Sequence, residues 1–215
     1  EALLAQCTMH IMPMVNPDGV TLAQEGPDAL PNAKDIQSMI HVRRTYAEWK
    51  ANANGVDLNR QYPAQWDKKY VVVDAPASEM YNGAAPATEP EVRAVMRVCR
   101  RNIFKAALSF HAKGEIIYWA DAATVDKLPH AKAFAARLSA VSGYELMPVS
   151  ENPGVYAAGF ENWFRQEFLY PAMVVELTPS SGGSVPHSNT VFFNLAWEPA
   201  KYVCAEALVQ TLDER

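Results

Sequence analysis

The stretch Met173-Val174-Val175-Glu176-Leu177 decides the fold: a short, largely β-branched apolar run that carries a single carboxylate. A run of this length and composition reads as a strand buried on both faces, the kind that a parallel sheet uses. Ala106 to Phe110 upstream is a second such run. Helical patterns surround the two. Thr88 and Glu91 form a capping box, and Val92, Val95, Met96 and Cys99 continue it at helical spacing. His130 to Ser142 is helical by the spacing of Phe134, Leu138 and Val141, with Gly143 suited to its end. Ala196 to Leu212 reads as a closing helix. Nearer the start, Glu1 to Ala5 reads as the end of a helix. An apolar stretch follows from Thr8 to Val15 and stops at the turn-type residues Asn16-Pro17-Asp18-Gly19. Ile36, Met39, Ile40 and Tyr46 predict a helix over Asp35 to Lys50, and Asn52 to Pro86 is a loop rich in Pro, Asn and aromatics. Strands alternating with helices predict an α/β fold with a mixed, mostly parallel sheet flanked by helices.

The bulk numbers narrow the classes. A chain of 215 residues suits one domain, here residues 1–215, with ample core. A hydrophobic share of 49% with 20% charged residues is that of a globular protein. The net charge of -5 argues against nucleic acid, whose partners carry a basic patch. No apolar run approaches the ~18 residues of a membrane span. Cys7, Cys99 and Cys204 are too scattered for a disulfide framework or a cysteine zinc site, and they leave the compartment open, extracytoplasmic or cytoplasmic. The first residue, Glu1, is neither Met nor the start of a signal pattern, so the sequence is expected to begin inside a longer protein.

In α/β sheets functional groups gather where strands end. Two polar residues stand at such ends: His111 after Ala-Leu-Ser-Phe, and Glu176 after Met-Val-Val. A lone His there is more often a structural residue. A carboxylate inside a buried strand is costly unless paired or protonated, which points to function. A third cluster runs from Gly55 to Pro63, where Asn59 and Arg60 offer an amide and a bidentate fork to a carboxylate; the alternative is a surface turn with a solvated Arg.

Taken in order, Pro13 to Gly19, Gly55 to Pro63, Tyr81-Asn82-Gly83 through Glu89-Pro90-Glu91, Ser109-Phe110-His111 and Val175-Glu176-Leu177 resemble the carboxypeptidase A-like family of zinc metallopeptidases. That resemblance implies one zinc, held by a His and a Glu of an early H-x-x-E motif and by a later His, which His111 matches. It implies that Glu176 is the general base on the zinc-bound water and then the proton donor to the leaving amine. By the same match, Asp57 orients a metal-bound imidazole, and Asn59 and Arg60 grip the substrate's terminal carboxylate. Tyr156 matches a tyrosine that closes over the substrate. Glu161 and Asn162 fall where the family lines its specificity pocket, and Trp163 is core. Glu161 is expected either to meet a cationic group in that pocket or to be a solvated loop carboxylate.

Two departures stand out. The arginine that polarises the scissile carbonyl is Lys50 here, a point charge instead of a fork. None of the five histidines has a Glu three residues later, so the H-x-x-E motif is absent and is expected upstream of Glu1. Within the family, Trp49-Lys50-Ala51-Asn52, Gln61 to Ala64, His111 to Trp119 and Trp163 to Phe168 are similar to a bacterial branch that cleaves γ-D-glutamyl-diaminopimelate bonds of murein peptides. The alternatives are a general metallocarboxypeptidase acting on ordinary peptides and a non-catalytic peptide-binding module without a complete zinc site.

Overall fold

The computed structural model describes residues 2–183 and 185–213. Four strands form one sheet in the order β1-β4-β2-β3: β1 (Ala107–Ala112), β2 (Ile116–Tyr118), β3 (Glu145–Leu146) and β4 (Ala172–Leu177). β1 and β4 run parallel, as do β2 and β3, while β2 and β4 are antiparallel, so the sheet is mixed and mostly parallel. The helices are α1 (Pro17–Glu25), α2 (Ala33–Ser38), α3 (Pro90–Arg101), α4 (Ala131–Ser142), α5 (Pro153–Tyr156), α6 (Phe160–Phe168), α7 (Glu198–Ala200) and α8 (Val203–Asp213).

Strand periodicity sorts the side chains into two layers. Met173 and Val175 of β4 point into a core with Ile117, Phe134 and Leu138 of α4, and Val203 of α8. Ala172 points the other way, into a core with Val92 and Met96 of α3 and Trp163 and Phe164 of α6. Glu176 lies two steps of two from Ala172 and so shares the α6 face, as do Ser109 and His111 with Ala107 on β1. A smaller cluster of Leu22, Ile36, Trp49 and Ala51 seats the long loop.

Four expectations are corrected. Asn16-Pro17-Asp18-Gly19 opens a helix instead of a turn, because the Asn16 side chain caps the Gly19 N–H at 2.9 Å and Pro17 suits the first helical position. The helix expected over Asp35 to Lys50 ends at Ser38. Beyond it the backbone is claimed by a distant loop: Met39 C=O accepts from Ser78 N–H, and Arg43 N–H donates to Ser78 Oγ. The Thr88/Glu91 capping box does not form. Thr88 Oγ1 bonds Gln61 Oε1 and Glu89 Oε1, and Glu91 accepts from Asn52 Nδ2. The single closing helix is divided into a π-helical turn (Phe193–Trp197), α7 and α8, with Pro199 removing a backbone donor at the break. The expected helix end at Glu1 to Ala5 falls partly on Glu1, outside the described residues; residues 2–6 form turns.

Candidate active site

The C-terminal ends of the parallel strands β1 and β4 carry the two residues singled out for chemistry, and they are direct register partners: His111 opposite Glu176. Glu176 is partly buried, and among the described residues its Oε2 has no hydrogen-bond partner. Burial pushes its carboxyl above the usual range, against the pull of His111 and Lys50 and with a push from Glu161. The His111 side chain is about one-third exposed, and its Nε2 stands 3.7 Å from Glu161 Oε1. Burial works against the imidazolium, yet the Glu161 and Glu176 carboxylates outweigh it and raise His111 above its ordinary value.

Glu161 belongs to the first turn of α6 and is buried. Burial alone would raise its carboxyl; His111 and the Ser109 hydroxyl instead hold it below the usual range. The alternative of a solvated loop carboxylate is therefore overturned: the residue sits on a helix, against the sheet. Asn162 and Trp163 are buried beside it, Trp163 stacked on Tyr62 at 5.8 Å.

Lys50 lies after a 3-10 turn, with its backbone N–H donating to Ser78 C=O. Its Nζ is 3.5 Å from Glu79 Oε2, a buried carboxylate that Arg43 also grips at 2.6 Å. Asn59 and Arg60 share a 3-10 turn, Leu58–Arg60. Asn59 Oδ1 accepts from the Phe160 N–H at 2.9 Å, which leaves its NH2 group to donate elsewhere. Arg60 Nε is held by Asp57 Oδ2 at 2.9 Å, and the same oxygen accepts from Met80 N–H. Tyr156 ends α5. Its ring meets Tyr118 edge-on at 5.3 Å, and its hydroxyl reaches Pro148 C=O at 3.4 Å.

Lys50, Asp57, Asn59, Arg60, His111 and Glu176 line one open cleft of about 1650 Å³. Tyr156 and Glu161 are not on its wall: Glu161 stands behind His111, and Tyr156 is packed on Tyr118. Sequence reasoning missed Glu79, which fixes Lys50, and Lys69, which lines the same cleft. Glu79 shares the loop with nothing that marks it, and Lys69 follows Lys68 in what reads as a solvated pair.

As a zinc site the arrangement is incomplete. Among the described residues no group of three or more His, Cys, Asp and Glu is placed to hold a metal ion. His111 offers one imidazole in the cleft, but these residues alone do not meet the tetrahedral donor requirement of zinc.

Comparison with known proteins agrees with this architecture. A profile described as zinc carboxypeptidase matches residues 1–184. The gamma-D-glutamyl-L-diamino acid endopeptidase 1 of Lysinibacillus sphaericus is 38% identical over 179 residues, covering 81% of this chain and 43% of that protein. Carboxypeptidase B2 of Bos taurus is 34% identical over 117 residues, 54% of this chain and 25% of that protein. Thrombin activatable fibrinolysis inhibitor shares the fold with a TM-score of 0.67 at 20% identity, over 99% of this chain and 55% of that one. The chain thus spans less than half the length of these curated relatives. By its ordered motifs, its sheet and this match, the chain belongs to the zinc carboxypeptidase family.

Proposed function

We propose that this protein acts as a zinc-dependent peptidase of carboxypeptidase type that cleaves the γ-D-glutamyl-diaminopimelate bond of murein peptides. The observation that carries the hydrolase reading is the register pairing of His111 with Glu176 on the wall of a cleft that Lys50, Asn59 and Arg60 also line. The substrate class is supported by the likeness to the Lysinibacillus endopeptidase and by the buried negative charge of Glu161.

In this reading His111 would be one zinc ligand, and the remaining donors would come from outside the described residues. Glu176, unpartnered at Oε2 among the described residues, takes a proton from the attacking water and returns it to the leaving amine. Lys50, steadied by Glu79, stabilises the oxyanion that develops on the scissile carbonyl. Asn59 and Arg60 bind the free carboxylate, and Asp57 holds the Arg60 fork in place and orients an imidazole of the completed site. Tyr156 closes over the substrate. Glu161 attracts the amino group of diaminopimelate.

The test is to incubate the zinc-loaded full-length protein with L-Ala-γ-D-Glu-diaminopimelate and follow release of diaminopimelate. An intact muropeptide, with rapid release of C-terminal aromatic residues from ordinary peptides, would return the protein to general carboxypeptidase activity. Inertness toward both, with the peptides still bound, would make it a binding module.

A further inference from the structure

The cleft holds a cation with no role so far. We propose that Lys69 is a substrate-binding residue whose ammonium, beside the Arg60 fork, supplies the net positive charge that selects the substrate's free carboxylate. This rests on the carboxypeptidase reading above and deepens it.

Arg60 is already met by an anion, since Asp57 Oδ2 lies 2.9 Å from its Nε. That pair is neutral as a unit and, although it offers the right shape, it draws a carboxylate weakly. Lys69 lines the same cleft as Asp57, Asn59 and Arg60. Its Nζ donates to the Val155 carbonyl at 2.7 Å, a neutral acceptor. An ammonium carries three donors, so two remain for a ligand. Among the described residues no carboxylate stands within ion-pair distance of it. Partial burial and the nearby Arg60 guanidinium press the ammonium down to about 8, with Asp57 only partly offsetting them. A cation so destabilised is one that a bound anion relieves.

Position supports the same role. The Lys68 to Tyr70 segment packs tightly on α5: a Cβ added at Gly154 would meet the Lys68 carbonyl oxygen at 2.4 Å. The Lys69 bond to Val155 lies next to Tyr156 in sequence. A carboxylate drawn between Arg60 and Lys69 therefore arrives beside the turn that carries the closing tyrosine.

The competing explanation is that Lys69 is only a tether for Val155. Lys69→Gln separates the two, because its amide still donates to that carbonyl but carries no charge. Kinetics are measured on the zinc-loaded full-length protein, with the L-Ala-γ-D-Glu-diaminopimelate tripeptide and its form amidated at the diaminopimelate carboxylate that Arg60 reads. Lys69→Gln should raise KM for the free-carboxylate form about 10- to 100-fold, the loss of one charge-assisted hydrogen bond, with kcat nearly kept. The amidated form should be unaffected, and Lys69→Arg should restore the preference. Equal losses on both substrates, or none on either, overturn the role of Lys69 while leaving the enzyme reading intact. A wild-type protein that treats the two forms alike overturns carboxylate recognition itself.

Discussion

His111 and Glu176 are joined by the backbone ladder of β1 and β4, partners in register on adjacent parallel strands. Their spacing is set by sheet geometry and not by flexible loops, so the two side chains are held at a fixed offset. Their electrostatics are coupled as well: each moves the other toward its charged form, Glu176 raising His111 and His111 opposing the rise that burial imposes on Glu176.

From this comes the first prediction. Glu176→Gln keeps the shape of the side chain and loses the base. In the full-length zinc protein, metal content should be unchanged while kcat falls ~100- to 10,000-fold, the usual range for general acid–base catalysis. Atomic absorption and steady-state kinetics on one preparation check both halves. A variant that loses its zinc would make Glu176 a ligand instead of a base.

The two strands were legible because short apolar runs stand out, and so does a polar residue near their ends; β4 is largely buried as expected, whereas β1 is only partly buried, with Phe110 exposed. The pairing of His111 with Glu176 was not legible, since nothing local says which strands lie side by side. Glu79 was hidden for a similar reason: its partners Arg43 and Lys50 are distant in sequence, and its own burial beside them is a tertiary fact. Helix α6 did carry a signal, with Phe160, Trp163, Phe164 and Phe168 at helical spacing. Reading that spacing would have placed Glu161 on a buried first turn. The early helix failed because Met39 and Arg43 give their backbone groups to Ser78, a competition that propensity cannot register.

Behind the site, Arg165 and Asp121 form a buried ion pair at 2.9 Å that clasps α6 to the segment after β2. Arg165 also donates to the Ala172 carbonyl and to Asn162 Oδ1, and Thr124 Oγ1 donates to Asp121. Arg165→Met fills the space but strands a buried carboxylate. The expected cost is about 3–5 kcal/mol of stability, read from urea unfolding. A loss below about 1 kcal/mol would mean that water reaches Asp121.

Lys69 gives a pH signature independent of substrate. Its ammonium should titrate near 8 in the folded chain, against 10.5 when unperturbed. Below about 8 both folded and unfolded states hold this proton, and the folded state bears the cost of the partly buried charge. Between 8 and 10.5 the unfolded chain binds more protons, so the Lys69 contribution to stability rises with pH; it is fully present above 10.5 and lost as pH falls through 8. NMR titration of the Lys69 side chain measures the midpoint directly. In Lys69→Met this rise should flatten, and an unchanged slope would assign it to another group.

The last prediction concerns Glu161, whose position gives the substrate question a structural form. The residue is buried, ionised by the company of His111 and Ser109, and among the described residues its Oε1 has no hydrogen-bond partner. An anion so placed behind the cleft wall can act in two ways. It can attract the amino group of diaminopimelate, or it can orient and charge His111 from 3.7 Å away. Glu161→Gln removes the charge and keeps the volume, and the two roles respond differently. If Glu161 attracts the amino group across the cleft wall, kcat/KM should fall about 10-fold for γ-D-glutamyl-diaminopimelate, as for a through-space attraction of about 1.4 kcal/mol. It should change little for a matched substrate whose distal amine is replaced by hydrogen, because discrimination is a difference in transition-state stabilisation between two substrates. If Glu161 works through His111, both substrates should lose alike, and the zinc affinity of the full-length protein should drop with them. We expect the selective loss. An equal loss accompanied by weaker zinc would move Glu161 from the specificity pocket to the support of His111.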